Sequence, residues 1–384
     1  MCLARNFIIV SLFVAAAIFA QTEKGDPEGF IFTEKINLSS TPVKNQWRTG
    51  TCWSFATSSF IEAEVLRKNG KAIDLSEMFN VRNTYPMKAK LFVRYHGKRT
   101  FDSGSLSGDM MRIFRVYGAV PESAYPGFLP EFERHNHKEL DAVLKAMMDV
   151  FVENPAGALS DRWLPAVEGV LDAYLGEMPE NFTYNGKSYT PKSFAASLGI
   201  NPDDYVELTS FTHHPFDEKI VLELPDNWAD NRYFNIPLDE LMKVLNRSLE
   251  MGYTVGWDGD VSEKTFNSRK GLATLPLRPW DLLSSGERNR LQEKPEAEIE
   301  VTQAVRQVMF DNYTTTDDHL MHITGIASDQ NGDTYYITKN SYGEERGPYQ
   351  GFVYMSESYT RAKTVSILVH KDVLPKDLAK RMGL

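Results

Sequence analysis

The spacing of apolar residues changes along this 384-residue chain, and that change limits the folds open to it. Up to about residue 250, apolar side chains recur at intervals of three and four in several segments, which is typical of helices packed on a core. We predict helices at 54–70, 109–117, 138–152, 164–175 and 238–251. Between the last two, residues 182–224 are rich in aromatic and β-branched residues with turn signals, which indicates short strands.

The last part of the chain has the pattern of an antiparallel sheet. Short runs of strand-forming residues, separated by Gly, Asp and Asn turns, lie at 319–326, 334–340, 351–355 and 364–370. Helices followed by strands indicate an α+β protein with a cleft between two lobes. The chain is also longer than one core usually serves, so two subdomains are expected.

The N-terminus has the features of a secretory signal peptide. Arg5 precedes a run from Phe7 to Ala20 in which Ser11 is the sole polar residue, and this run is too short to cross a bilayer. We therefore expect export to the periplasm or the outside. Because Ile18 stands where the cleavage site prefers a small side chain, an uncleaved signal that anchors the chain in the membrane is the alternative.

Composition argues against several kinds of partner. No later apolar run reaches membrane length, and a net charge of -10 gives no support to binding of nucleic acid or anionic membranes. The acidic run 257–263 lacks the ligand series of a calcium loop, and His213-His214 has no companion ligands at the spacing of a zinc site. We expect no metal and no cofactor.

Cys52 is the sole thiol once Cys2 leaves with the signal. An intramolecular disulfide is then impossible, so the core alone must hold the fold. Cys52 precedes the predicted helix 54–70 and so lies at a helix N-terminus, where unpaired N–H groups and the helix dipole lower a thiol pKa. This position favours a nucleophile, and a small buried apolar residue is the alternative interpretation.

A thiol nucleophile needs a base and a group that orients the base. His319 and His322 begin a predicted strand, and their spacing of three puts them on opposite faces, so at most one can face Cys52. Spacing alone does not choose between them. Asn340 closes the next strand, either as a turn residue or as the orienting amide. Gln46 is either a solvated loop amide or an oxyanion donor that acts with the Cys52 N–H.

The segment from Gln46 to Ala56 contains Gly50 four residues after Gln46, followed by Cys52 and Trp53. This order and spacing resemble the active-site segment of papain-like cysteine peptidases. The resemblance is closest to the bleomycin hydrolase and aminopeptidase C branch, which also lacks the disulfide cysteine at the position of Thr49. Further anchors follow in the same order between about 35 and 375: Leu75-Ser-Glu77, Tyr117-Gly-Ala-Val-Pro-Glu122, Tyr125-Pro126, Asp172-Ala-Tyr-Leu-Gly176, His319-Leu-Met-His-Ile-Thr-Gly325, Lys339-Asn-Ser-Tyr-Gly343 and Val373-Leu-Pro375.

The resemblance implies a papain-like two-lobed fold and a cysteine peptidase that acts on peptides through a thioester. It implies that Cys52 is the nucleophile, His319 the base, Asn340 the orienting residue and Gln46 the oxyanion donor. The choice of His319 rests on alignment through the Thr-Gly pair that ends at Gly325.

Four divisions of the chain follow from the pattern and the resemblance. We expect a signal peptide at 1–20, a helical lobe with the nucleophile helix at 21–130, a family-specific and mostly helical insertion at 131–300, and a β-rich lobe at 301–384. The last division carries the base, the orienting amide and the C-terminal tail.

Members of this branch trim peptide N-termini because their C-terminal arm fills part of the cleft, and they commonly assemble as hexamers. The resemblance therefore implies an aminopeptidase and a homo-oligomer. It offers the Leu384 carboxylate as the group that grips a substrate amine, although the basic tail differs from the family's. Gly104 is a second candidate substrate contact, in a loop where the family has a Gly-Gly pair.

Two departures keep other functions open. Ser105-Leu106 stands in place of that Gly-Gly pair, and Tyr342 stands where the family usually has Trp. A catalytically weak binding or scaffold protein with the same fold is one alternative. An endopeptidase is another, and an acyltransferase that uses the same thioester chemistry is the third.

Overall fold

A computed structural model describes residues 29–129, 131–155 and 157–384, so the predicted signal peptide lies outside the described residues. The helices of these ranges are α1 (Cys52–Asn69), α2 (Glu77–Arg94), α3 (Ser107–Val116), α4 (Lys138–Glu153), α5 (Trp163–Leu175), α6 (Pro191–Ser197), α7 (Leu238–Glu250), α8 (Ser285–Arg290), α9 (Gln303–Asp311), α10 (Glu357–Lys363) and α11 (Lys376–Met382). The strands are β1 (Thr33–Asn37), β2 (Phe182–Tyr184), β3 (Lys187–Tyr189), β4 (Tyr205–Thr209), β5 (Glu218–Val221), β6 (Arg232–Asn235), β7 (Val255–Gly259), β8 (Leu272–Ala273), β9 (His319–Ser328), β10 (Thr334–Lys339), β11 (Phe352–Ser356) and β12 (Thr364–His370).

One mixed sheet of ten strands organises the molecule. Its order is β5-β6-β4-β12-β7-β9-β10-β11-β8, with β1 paired to β9, while β2 and β3 form a separate hairpin. The pairs β4–β6 and β8–β11 are parallel, and the other described pairs are antiparallel. β9 lies near the middle, and its first residues, His319 and Leu320, stand opposite Gly259 and Asp258 of β7.

The sheet separates two large hydrophobic cores. Leu320 packs in a core with residues of α1 to α6, whereas its neighbour Met321 packs in a second core with residues of α7 and α11. Successive strand residues point to opposite faces, so these cores cover the two faces of β9. The architecture confirms the prediction of an α+β fold in which a mostly helical lobe meets a β-rich lobe.

Helix α1 lies at the centre of the helical lobe and packs against β9, α2 and α3. Two acidic residues of this helix, Glu62 and Glu64, are buried. Glu62 accepts hydrogen bonds from the Thr41 hydroxyl at 2.5 Å and the Leu75 N–H at 2.8 Å, and Glu64 pairs with Arg67 at 2.8 Å. Buried carboxylates are stable only with such partners, so α1 is enclosed on all sides.

Trp53 joins α1 to the loop that precedes α3. Its ring is 1% exposed, and its Nε1–H donates to the Ser103 carbonyl at 3.0 Å. We expect Trp53→Ala to lower the free energy of unfolding by about 3–5 kcal/mol, because the substitution leaves a large cavity and an unpaired carbonyl. Urea denaturation measures this loss. Trp47→Ala is the matched control, since Trp47 is 41% exposed, and an equal loss in both variants would contradict the packing described.

The segment 131–300 contains both helices and strands. It holds α4 to α8, but it also supplies β4, β5, β6, β7 and β8 of the main sheet. These strands have at most five residues and pair with strands distant in sequence, above all β12 with β4 and β7. Short strands of this kind take their stability from distant partners, which local periodicity does not reveal.

The C-terminal tail forms α11, which the sequence did not predict. Leu378 and Met382 are buried in the second core, and Arg381 pairs with Asp217 and Glu240. These contacts hold the tail against the sheet and α7. No helix among the described residues has the length and apolarity of a membrane span.

Candidate active site

Cys52 is the first residue of α1, preceded by Thr51 at the N-cap position. The first N–H groups of a helix have no acceptor within the helix, so the Cys52 N–H is free to bind a ligand. The backbone N–H of Leu320 donates a hydrogen bond to the Cys52 sulfur. Because Leu320 follows His319 in β9, this contact brings the thiol to the start of the strand that carries the predicted base.

Asn340 holds the His319 ring. Nε2 of His319 and Oδ1 of Asn340 are 2.8 Å apart, and both residues are buried. The Ser341 N–H also donates to that oxygen at 2.8 Å, which fixes it as the acceptor end of the amide. Nε2 of His319 therefore carries the hydrogen, and Nδ1 is left with a lone pair that can accept a proton.

Tyr342 covers the same ring. Its aromatic plane stacks on His319 with ring centroids 5.2 Å apart and planes inclined by 27°. Burial raises the pKa of Tyr342 to about 12, and the nearby Cys52 adds to this shift. The Tyr that replaces the family's usual Trp thus still shields the imidazole and lies close to the thiol.

His322 lies in a different environment from His319. It is fully buried, its Nδ1 is 2.9 Å from the Ser59 hydroxyl, and Lys339 donates to the same hydroxyl at 2.7 Å. These contacts place His322 in a polar network between β9 and α1. The structure therefore brings His319 to Asn340 and leaves His322 within the core, a choice that strand spacing alone did not make.

Gln46 links the segment before Cys52 to the segment after Asn340. Its backbone N–H donates to the Ser341 carbonyl at 2.9 Å, and its side-chain Oε1 accepts from the Ser341 hydroxyl at 2.5 Å. Its Nε2 donates to the Thr49 carbonyl at 2.8 Å, which uses one of two amide hydrogens. The side chain is thus fixed, and its second hydrogen remains for another acceptor.

The loop before α3 buries the side chains that depart from the family pattern. The Ser105 hydroxyl donates to Asp109 at 2.7 Å and accepts from Trp228 at 2.9 Å, and Leu106 lies in the first core. A Cβ on Gly104 would overlap the carboxylate of Asp226. A side chain at this position would have to displace the Asp226 carboxylate, an acidic group that the sequence analysis did not single out.

Burial raises the pKa of Cys52 to about 12, nearby carboxylates add to this shift, and the Leu320 N–H opposes it. Burial also lowers the pKa of His319 to about 4. These effects oppose the lowered thiol pKa expected from the helix N-terminus.

Proton transfer from the Cys52 sulfur to the His319 ring creates two opposite charges side by side, and their attraction offsets the cost of burial. The two groups therefore titrate as a pair rather than as separate sites. A neutral thiol beside a neutral imidazole is the resting form that the surroundings favour.

Leu384 lies apart from this group. It lines a surface pocket with residues of α3, β4 and β12, including Arg112, Tyr205 and Leu368. Tyr205 stands opposite His370, the last residue of β12. The first residue of β12, Thr364, stands opposite Gly259, which in turn stands opposite His319. The pocket therefore lies at the end of β12 that is farther from His319. The docked tail does not bring the terminal carboxylate together with Cys52.

One group of side chains has the composition of a metal site. Donor atoms of His213, His214 and Glu223 lie within 4.8 Å of one another. The Gln307 amide donates to Nδ1 of His213 at 2.9 Å, and its oxygen accepts from the Thr212 N–H at 2.6 Å. Nε2 of His213 must then carry a hydrogen directed at Glu223. A metal ligand would instead need a free lone pair on this nitrogen. Hydrogen bonds to the carboxylate explain this cluster.

Comparison with known proteins decides the family. The profile described as "Peptidase C1-like family" matches residues 90–383, and that described as "Papain family cysteine protease" matches residues 30–82. The chain belongs to the Peptidase C1-like family. It is a cysteine-type peptidase, as the sequence predicted.

Relatives and a solved structure agree with this assignment. The peptidase is 23% identical to aminopeptidase C of Lactococcus lactis subsp. cremoris, over 89% of this chain and 83% of the relative. It is 23% identical to cysteine proteinase 1, mitochondrial, of Saccharomyces cerevisiae (strain ATCC 204508 / S288c), over 95% of this chain and 82% of the relative. The crystal structure of PepW from Lactobacillus rhamnosis superimposes with a TM-score of 0.71 at 19% identity, and covers 91% of this chain and 84% of that chain. This likeness confirms the papain-like fold.

Sequence reasoning missed several residues around the thiol. The N–H of Leu320 lowers the pKa of the peptidase's thiol, whereas the carboxyl groups of Asp226 and Asp258 raise it, and the three residues belong to separate segments. Asp317 was visible as part of the acidic pair before His319, but nothing in its spacing predicted that one oxygen of its carboxyl group is buried. Such a group forms only when the sheet and the segment between β5 and β6 come together.

Proposed function

We propose that this peptidase is an aminopeptidase that cleaves peptide bonds through a thioester on Cys52. The observation that carries the proposal is the convergence of three groups. The thiol stands at the N-terminus of α1, the N–H of Leu320 contacts its sulfur, and Asn340 holds the adjacent His319 ring with Nδ1 free. This is the arrangement that a nucleophile, its base and an orienting amide require.

The reaction follows from these positions. Nδ1 of His319 takes the thiol proton as the Cys52 sulfur attacks the carbonyl carbon of the scissile peptide bond. The Cys52 N–H and the second hydrogen of the Gln46 amide stabilise the oxyanion. The imidazolium then gives its proton to the leaving amine, and a thioester remains. His319 next removes a proton from water, which attacks the thioester and releases the acid and the thiol.

The preference for peptide N-termini rests on relatives. Proteins named aminopeptidase C in Lactococcus lactis subsp. cremoris and Streptococcus thermophilus are 23% identical to this chain, over 89% and 92% of its length. Purified protein incubated with a fluorogenic aminoacyl amide and its N-blocked counterpart tests the preference. Cleavage of the free-amine substrate alone supports an aminopeptidase, and equal cleavage of both substrates identifies an endopeptidase.

A catalytically weak protein is the second candidate, because the loop before α3 has Ser105 and Leu106 where the family has a Gly-Gly pair. Burial also raises the pKa of the Cys52 thiol, which opposes formation of the thiolate. An epoxide thiol trap separates the two candidates. Labelling of Cys52 together with turnover supports the peptidase reaction, whereas absence of both supports a binding or scaffold role.

Gln46→Ala is expected to lower kcat by about 10²–10³-fold with little change in KM, since the lost amide stabilises the oxyanion more than the substrate. Steady-state kinetics on the free-amine substrate measure the change. Gln330→Ala is the matched control, because the Gln330 amide bonds to Gly29 and Ile31 at the other end of β9. An unchanged kcat in Gln46→Ala would remove Gln46 from the mechanism.

Export and assembly remain proposals. The charge and length of residues 1–20 support a cleaved signal, and N-terminal sequencing of the protein from fractionated cells tests it. Recovery of the protein outside the cytoplasm with a new N-terminus near Gln21 is the expected result. The homo-oligomer implied by family resemblance predicts a mass well above 43.6 kDa in light scattering, and a monomer mass would exclude it.

A further inference from the structure

Three carboxyl groups lie near the Cys52 thiol and have no part in the reaction described above. The charges of Asp317, Asp226 and Asp258 raise the pKa of the thiol, and Asp317 stands two residues before His319. Asp258 stands in β7 opposite Leu320, the residue whose N–H contacts that sulfur. The three side chains come from three separate segments, so the fold gathers negative charge at the nucleophile.

One oxygen of each of two carboxyl groups is buried without a hydrogen-bond partner. Asp258 is 3% exposed, and its Oδ2 accepts from the Ser366 hydroxyl at 3.3 Å, but its Oδ1 has no partner among the described residues. Oδ2 of Asp317 is also buried without a partner, and the two carboxyl groups come within hydrogen-bonding distance of each other. Two buried acceptors this close need a shared proton or a cation between them.

Asp226 is also without a compensating charge. Its carboxylate lies against the Cα of Gly104, and it has no ion-pair partner among the described residues. The nearby Lys88 is committed elsewhere, because its ammonium pairs with Asp102 at 3.2 Å and donates to the Gly104 carbonyl at 2.5 Å. Burial raises the pKa of Asp226 to about 7, and Asp317 adds to the shift.

We propose that Asp226, Asp317 and Asp258 bind the α-ammonium group of the peptide's N-terminal residue. This inference deepens the proposed aminopeptidase function and rests on it. When the first peptide bond is cleaved, one Cα separates the attacked carbonyl carbon from the α-nitrogen, so these two atoms are about 2.5 Å apart. The ammonium must therefore lie beside the Cys52 sulfur, where the three carboxyl groups are. It supplies three N–H donors and the positive charge that they lack.

This site has a consequence for the nucleophile. The carboxyl charges add to the elevation of the thiol pKa, and a bound ammonium neutralises part of that charge. A substrate with a free N-terminus thus favours formation of the thiolate that attacks it. A peptide with a blocked N-terminus leaves the negative charge in place and is disfavoured both in binding and in activation.

The test uses the full-length protein with Asp226→Asn and Asp317→Asn. Asp230→Asn is the matched control, because Asp230 is an exposed acid of the same segment that pairs with Arg99 at 2.8 Å. We expect each site variant to lower kcat/KM for the free-amine aminoacyl amide about tenfold or more, from the loss of a charge-assisted hydrogen bond. We expect no such loss for the N-acetylated substrate. Free-amine kcat/KM within twofold of the parent protein in both site variants would overturn the proposal.

A third substrate, N-acetyl-Lys-Leu amide with the same fluorophore, separates two sources of an ammonium group. If the carboxyl groups bind the Lys side chain that precedes the cleaved residue, the site variants lose activity on this substrate instead. That outcome overturns the assignment to the α-ammonium. The assignment is supported if the site variants and the parent protein have equal kcat/KM on this third substrate while the variants lose activity on the free-amine substrate.

A binding measurement keeps this test separate from turnover. Calorimetry with Cys52→Ala protein and an unblocked dipeptide reports Kd without chemistry, and we expect Asp226→Asn in that background to weaken binding about tenfold or more. Equal Kd values would overturn the ammonium site. Failure of the proposed aminopeptidase function has a different signature, since the parent protein would then cleave neither the free-amine nor the blocked substrate, or would cleave both equally.

Discussion

Replacing Cys52 with Ala is expected to lower kcat by about 10⁵-fold or more, since no other group of the cleft can form the thioester. The change removes the sulfur and its hydrogen bond from the Leu320 N–H but leaves α1 and its caps intact. The folded state should therefore persist. Fluorogenic turnover measures the loss, and circular dichroism with a thermal melt verifies the fold.

The outcome needs a safeguard against contaminating peptidases. The parent protein and the Cys52→Ala variant should be purified in parallel and assayed with and without the epoxide trap. We expect the trap to abolish turnover by the parent protein and to label nothing in the variant. A variant that keeps a tenth or more of the parent kcat would contradict the assignment of Cys52 as the nucleophile.

His319→Ala is expected to lower kcat by about 10²–10⁴-fold, the usual contribution of a positioned general base. The imidazole is held by Asn340 and stacked against Tyr342, so its loss removes the proton acceptor without disturbing a hydrophobic core residue. A small residual rate that increases with pH is expected, because hydroxide then takes over deprotonation of the thiol. Kinetics from neutral to alkaline pH measure both effects.

His322 offers a matched control three residues along the same strand. His322→Ala opens a cavity beside Ser59 and leaves the Ser59 hydroxyl with one partner fewer, so it should lower the melting temperature. The kcat of its folded fraction should stay near that of the parent protein. Loss of chemistry in His322→Ala with retained kcat in His319→Ala would reverse the roles assigned to the two histidines.

Much of the fold could be predicted because several elements carry strong local signals. The helices expected at 138–152 and 164–175 correspond to α4 and α5, and the four expected C-terminal strands correspond to β9, β10, β11 and β12. Their apolar periods match the faces that they bury. The nucleophile helix began two residues earlier than its periodicity suggested, because its start is set by Thr51 and the preceding turn.

Other features depend on contacts between distant segments. β4 and β7 are short, and they become strands because β12 pairs with both. The order of motifs indicated Cys52, His319, Asn340 and Gln46. Hydrogen bonds through Ser341 link His319, Asn340 and Gln46, and Leu320, the neighbour of His319, lies near the Cys52 sulfur. Spacing could not separate His319 from His322, since the difference arises from the groups that each ring meets after folding.

The electrostatic surroundings of the thiol could not be predicted. A helix N-terminus is visible in a sequence, but the degree of burial and the approach of carboxyl groups are not. Asp226 reaches the site from the segment between β5 and β6, and Asp258 reaches it through the pairing of β7 with β9. The candidate anchor for a substrate amine therefore appears only in three dimensions, whereas the tail carboxylate of Leu384, suggested by resemblance, lies in another pocket.

Rapid acid quench of the protein with an activated aminoacyl ester, followed by mass spectrometry of its proteolytic fragments, examines the covalent step itself. An acyl adduct carried by the fragment that contains Cys52, formed within one turnover and absent after pretreatment with the trap, is the predicted result. Full hydrolysis of the ester with an unmodified Cys52 fragment at every time point would contradict the account.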